Sequence, residues 1–215
     1  IAHFRGSSVK NVSVSGGTFN HEVQPDYCAN KFVPVNNNDG TYGVKVDDTA
    51  YVAKLLDAQG AYVNAYDTLA KAINAAGNGD TVTLLKNVTE NVTILEGKSI
   101  TLDLNGKTIN GGTGAPQNHS DRSAPPSALP CWRPRDAITN NGTLTIKDSV
   151  GGGIVDNVSH GCAAIKNNVG GTVTIENGTF CRTAEASTGA DNSGGNSYYV
   201  IDNQGTMNIN GGTFK

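Results

Sequence analysis

The sequence predicts an all-β fold, specifically a right-handed parallel β-helix (a solenoid) with a short N-terminal capping helix and a small β-hairpin connector. Two observations carry that expectation. The first is a motif written three times. It runs Ala137-Ile138-Thr139-Asn140-Asn141-Gly142-Thr143-Leu144-Thr145-Ile146 and returns as Ala164-Ile165-Lys166-Asn167-Asn168, Val169-Gly170-Gly171 and Thr172-Val173-Thr174-Ile175. The third copy is Val200-Ile201-Asp202-Asn203-Gln204-Gly205-Thr206-Met207-Asn208-Ile209. Each has two apolar residues, a polar residue, an Asn, a turn glycine and then a run with period-two alternation, the signature of a strand. The second observation is composition: 27 Gly in 215 residues, with only 16% charged, fits strands and turns rather than long helices.

A strand of three or four residues cannot bury enough apolar surface alone, so repeated copies must stack. Inward Ile, Leu and Val of successive coils then form the core, and Asn at matching turns can hydrogen-bond in a ladder along the stack. The motif recurs at 175 − 146 = 29 and 209 − 175 = 34 residues. Unequal spacing implies side loops of different length on a shared core.

In chain order, residues 1–20 read as one orphan coil, the last of a preceding unit, ending in Ser15-Gly16-Gly17-Thr18-Phe19. Residues 21–64 read as a connector. Within it, Phe32-Val33-Pro34-Val35 and Thr41-Tyr42-Gly43-Val44-Lys45-Val46 flank an Asp39-Gly40 turn, and a second pair of runs flanks Asp57-Ala58-Gln59-Gly60. Residues 65–79 hold the expected capping helix, with Asp67 as N-cap, Leu69, Ala72, Ile73 and Ala76 on one face and Gly77 as the stop. A short amphipathic helix there would cover the core and strand edges at the open end of the stack. Residues 80–215 form the stack itself, beginning with strands at 81–85, 92–94 and 99–109.

The pattern breaks twice at length. Residues 112–136 contain Pro116, Pro125, Pro126, Pro130 and Pro134, which forbid a regular central strand, and residues 182–197 are rich in Gly, Ser, Ala and Asn. A short break covers 158–161. The long excursions leave after a strand and return before the apolar pair that opens the motif, so stacking would bring them out on one edge. That edge is the expected functional surface.

On it, the candidate partner-binding residues are His119, Asp121, Arg122, Trp132, Arg133 and Arg135 from the first excursion, with Tyr198 and Tyr199 after the second. Trp and Arg are enriched at binding hot spots, and proline lowers the entropy lost on docking. The bland alternative has Trp132 folding back over exposed core, and one of the two tyrosines is expected to face inward.

Other classes are disfavoured. With 16 basic against 19 acidic residues and a net charge of −3, the chain has no strong field for nucleic acid or an anionic membrane. No apolar run reaches the roughly 18 residues of a membrane span, and Ile1-Ala2-His3-Phe4-Arg5 does not open a signal peptide. A polysaccharide lyase or hydrolase would need carboxylates and a basic residue aligned on one face of adjacent coils. Asp103, Lys147, Asp148, Asp156, His160 and Glu176 are instead scattered. No cofactor or metal is expected, because Cys28, Cys131, Cys162 and Cys181 form no CxxC pair and no His stands at zinc-finger spacing. Cys131 and Cys162 each lie a few residues before an Ala-Ile step. They are expected to meet on adjacent coils as a disulfide, with free thiols as the alternative, and a disulfide would imply an extracellular setting. The sequons at Asn87 and Asn141 fall inside the repeats and read as turn chemistry.

Ser15-Gly16-Gly17-Thr18-Phe19 is matched by Asn210-Gly211-Gly212-Thr213-Phe214, 210 − 15 = 195 residues later. The expectation is one period of a tandem array within a longer protein, with tandem neighbours in the same chain.

Four stretches carry a resemblance: Tyr66-Asp67-Thr68-Leu69-Ala70-Lys71-Ala72-Ile73, Gly79-Asp80-Thr81-Val82-Thr83-Leu84-Leu85, Leu102-Asp103-Leu104-Asn105-Gly106-Lys107 and Asn141-Gly142-Thr143-Leu144-Thr145-Ile146. Together they resemble the β-helix modules of large surface proteins of gut Gram-positive bacteria. The step from Ser15 to Phe19 followed by Asp26-Tyr27-Cys28-Ala29 is similar to the join between such modules. The resemblance covers most of the chain except 112–136. It implies an extracellular, adhesin-like module, secreted or on the cell surface. A subset of such proteins resembles B-cell superantigens that bind antibody variable domains outside the antigen site. The functional expectation is therefore a non-catalytic module binding a host protein, with an antibody as the sharpest version. A glycan-binding adhesin or a lyase-like enzyme is the alternative.

Overall fold

The computed structural model describes residues 12–111, 136–157, 163–182 and 199–215, and the chain divides into two compact units between Tyr51 and Val52. The connector expected over 21–64 is thus divided: its first hairpin lies in the first unit and its second in the other.

In the first unit, β1 (Thr18–Phe19), β2 (Phe32–Asn36) and β3 (Tyr42–Val46) form an antiparallel sheet in the order β1-β3-β2. The β2–β3 hairpin sits where the Asp-Gly turn predicts it. Asp39 Oδ1 accepts from the Thr41 amide at 2.9 Å and from its hydroxyl at 2.6 Å, closing the turn with its own side chain. Read as a coil, β1 would stack in parallel; here it pairs antiparallel with β3, while Val14 makes a parallel bridge to Cys28.

The second unit opens with a hairpin of β4 (Ala53–Leu56) and β5 (Tyr62–Tyr66), followed by α1 (Leu69–Ala75). Its remaining strands are β6 (Thr81–Leu84), β7 (Val88–Thr89), β8 (Val92–Ile94), β9 (Ser99–Asp103), β10 (Thr108–Gly111), β11 (Ile138–Asn140), β12 (Thr143–Lys147), β13 (Ile154–Asn157), β14 (Ile165–Asn167), β15 (Thr172–Ile175), β16 (Thr179–Cys181), β17 (Ile201–Asn203), β18 (Thr206–Ile209) and β19 (Thr213–Phe214). From β6 onward the chain deals its strands in rotation to three parallel sheets. These are β18-β15-β12-β9-β6, extended antiparallel by β4 and β5; β19-β16-β13-β10-β7; and β17-β14-β11-β8. The fold is therefore mostly β with parallel sheets, as the repeated motif predicts.

Register aligns the repeats. Ile100, Leu144, Val173 and Met207 fall in one row, and Leu102, Ile146, Ile175 and Ile209 in the next. Inward side chains from all three sheets and from α1 make one apolar core. Its rows consist of like residues because a one-residue slip would turn every apolar side chain outward.

Asparagines form the expected ladder. Ile94, Asn140, Asn167 and Asn203 occupy one row. Asn140 Nδ2 donates to Asn167 Oδ1 at 2.8 Å, and Asn167 Nδ2 donates to Asn203 Oδ1 at 2.8 Å. Each Asn also ties its own turn: Asn140 Nδ2 donates to the Gly142 carbonyl at 2.9 Å and Asn140 Oδ1 accepts from the Gly142 amide at 3.2 Å. A Cβ on Gly142 would lie 2.5 Å from the Leu95 and Lys98 carbonyl oxygens, so the turn has room for glycine alone. The Asn141 amide of the sequon belongs to a second rank, accepting from Asn168 Nδ2 at 2.7 Å.

The helix differs from expectation at its ends. Its N-cap is Thr68, not Asp67: Thr68 has extended backbone, and its hydroxyl accepts from the Lys71 amide at 3.2 Å. Asp67 pairs with Lys71 Nζ at 2.8 Å on the surface instead. Two distant residues complete the caps. Glu90 accepts from the Leu69 and Ala70 amides at 2.9 and 3.0 Å, and Lys98 Nζ donates to the Asn74 and Ala76 carbonyls at 3.0 and 2.6 Å. Acid at the N-terminus and base at the C-terminus both complement the helix dipole. Leu69, Ala72, Ile73 and Ala76 are buried, as the helical periodicity predicts, and α1 packs on β8, β4, β5 and β6.

Candidate binding edge

The expected edge lies at one corner, where the sheet of β7, β10, β13, β16 and β19 hands the chain to the sheet of β8, β11, β14 and β17. The first excursion leaves after Gly111 at the end of β10, the short one after Asn157 at the end of β13, and the second long one after Cys181-Arg182 at the end of β16. Gly111 pairs with Asn157, and Asp156 with Cys181, so the three departures are neighbours in one sheet. Their returns are neighbours in the next: Ile138 pairs with Ile165 and Ile165 with Ile201. Backbone bonds bind the returns together, from Ala137 N to Ala163 O at 3.1 Å and from Ala164 N to Val200 O at 2.9 Å.

Buried polar groups brace this corner. Asp136 Oδ1 accepts from the Ala163 amide at 2.6 Å, so the return of the first excursion holds that of the short one. Asn157 Nδ2 donates to the Ala163 carbonyl at 2.7 Å, and Arg182 is buried at the third departure. A Cβ on Gly111 would lie 2.5 Å from Ala137 Cβ, so departure and return pass in direct contact. Sequence reasoning overlooked Gly111, Asn157 and Arg182 and treated Asp136 only as the end of a loop. The small residues Gly111, Ala137 and Ala164 at matching positions were the available signal of a tight corner.

Burial pushes the Asp136 carboxyl up, an effect opposed by the Ala163 amide and Lys166 and reinforced by Asp202. A carboxyl with a raised folded-state pKa favours the folded state most below its ordinary value, and that contribution fades as pH rises through the folded value. We expect Asp136→Asn, which keeps an acceptor for Ala163 but cannot ionise, to gain stability relative to the parent as pH rises from 3 to 7. Urea midpoints of both proteins across that range check it, and a difference independent of pH would refute it.

Of the candidate contact residues, Tyr199 is described, and it is 58% exposed immediately before the third return. Tyr199 therefore does not face inward. His119, Asp121, Arg122, Trp132, Arg133, Arg135 and Tyr198 lie outside the described residues, as do Cys131, Cys162 and His160. Cys28 and Cys181 are free thiols. Burial, with the Asp156 carboxylate beside it, pushes Cys181 up to about 11, so it is held as an unreactive neutral thiol.

Two of the carboxylates scattered through the repeats are engaged by turns. Asp103 Oδ1 accepts from the Asn105 and Ser149 amides at 3.0 Å each, and its other oxygen faces Lys147 Nζ at 3.8 Å. Asp148 accepts from the Gly106 and Gly153 amides at 2.7 Å each. Burial alone would raise the Asp148 carboxyl, but the amides of Gly153, Gly106, Gly151 and Val150 outweigh it and hold it below the ordinary value. Among the described residues no group of three or more His, Cys, Asp or Glu could hold a metal ion, and no helix is long and apolar enough to cross a membrane. No protein-family model, curated protein or solved structure matches the chain, so the reading of its function rests on this corner.

Proposed function

We propose that the second unit is a right-handed parallel β-helix closed at one end by α1, and that the chain is a non-catalytic binding module displayed outside a bacterial cell. It engages a host protein, an antibody variable domain in the sharpest form, through residues 112–136 and 182–197, with Trp132 as anchor and Arg133, Arg135, His119, Asp121, Arg122, Tyr198 and Tyr199 around it. One observation carries the reading. The excursions that interrupt the repeats all leave and return at the same corner on successive turns, so a broad surface can be presented by loops rooted in a rigid frame. Buried Asp136 and Asn157 brace those roots through Ala163, which lowers the entropy lost on docking.

The test is retention of polyclonal immunoglobulin from serum on the immobilised chain, with Trp132→Ala beside it. Loss of a buried aromatic anchor is expected to cost about 2 kcal/mol, roughly thirtyfold in Kd. Absence of antibody at micromolar concentration abandons that partner. Capture of a mucin glycan in its place moves the reading to a glycan adhesin, and unsaturated uronic acids released from pectin or alginate would overturn the non-catalytic assignment.

A further inference from the structure

We draw no further inference here: the strongest candidate, the outward face of the sheet of β9, β12, β15 and β18, where Thr101, Thr145 and Thr174 align in one row and Thr143, Thr172 and Thr206 in the next, is an unpartnered sheet face, and nothing in the structure shows what covers it.

Discussion

Asn167→Leu is expected to destabilise the second unit by about 3 kcal/mol, although leucine branches at Cγ as asparagine does and the site is fully buried. Asn167 is a middle rung of its row, so two neighbours depend on it. It accepts from Asn140 Nδ2, and it donates to Asn203 Oδ1 at 2.8 Å, to the Thr206 carbonyl at 2.9 Å and to the Gly171 carbonyl at 3.2 Å. Leucine would take one acceptor from Asn140 Nδ2, which keeps the Gly142 and Thr172 carbonyls, and would remove the amide donor from Asn203 Oδ1 and from the Thr206 and Gly171 carbonyls; a buried polar group left without its partner costs about 1–3 kcal/mol. Burying the new apolar side chain returns about 2 kcal/mol at most, less than the sum of the stranded groups. Ile94 occupies the same row one turn earlier, so an apolar residue fits sterically. Ile94, however, is followed by a turn through Leu95-Glu96-Gly97-Lys98, as long as the one after Asn167, that closes without an asparagine side chain in this row. The check is the urea midpoint by circular dichroism, with Asn140→Leu added as a second step. If the ladder acts as a unit, the double variant loses less than the sum of the two single variants. A loss below about 1 kcal/mol for Asn167→Leu would show that the ladder follows the turns rather than holding them.

Phe180→Ala is expected to cost about 4 kcal/mol, the larger effect of the two. Among the described residues Phe180 is the bulkiest fully buried side chain, in one row with Val155 on one side and Phe214 on the other. Truncation removes its transfer free energy and leaves a cavity that a close-packed core cannot fill by collapse. It also leaves the stacked Phe214 ring without support. Phe214→Ala, at a position exposed on its outer face, is expected to cost only about 1 kcal/mol. Equal losses for the two variants would mean that Phe214 is buried in solution as fully as Phe180.

The legible part of the fold was what each repeat specifies by itself. Alternation in Thr143-Leu144-Thr145-Ile146 sets which side chains face inward, and Asn140-Asn141-Gly142 sets the turn before it; both lie within one local stretch. Repetition of that stretch then implies parallel pairing in register, because only that register stacks apolar on apolar and Asn on Asn. The common root of the excursions was legible for the same reason, since equal positions in a stacked repeat fall on the same corner.

Distance along the chain decided the rest. Glu90 and Lys98 cap α1 from about one turn away, which no helix signal inside 65–79 could announce. The hairpin of β4 and β5 was legible as a hairpin, but its addition antiparallel to β6 depends on an edge that exists only after the sheet forms. Likewise, Asp103 and Asp148 read as scattered surface carboxylates until folding brought Ser149, Gly106 and Gly153 amides onto them. The sequence by itself determined the strands, the turns and the row each residue joins, because those follow from alternation and turn chemistry within about ten residues. Only the tertiary structure decided which carboxylates the turns engage and how the corner is braced, because desolvation and hydrogen-bond partners are properties of the space around a residue and not of its neighbours in the chain.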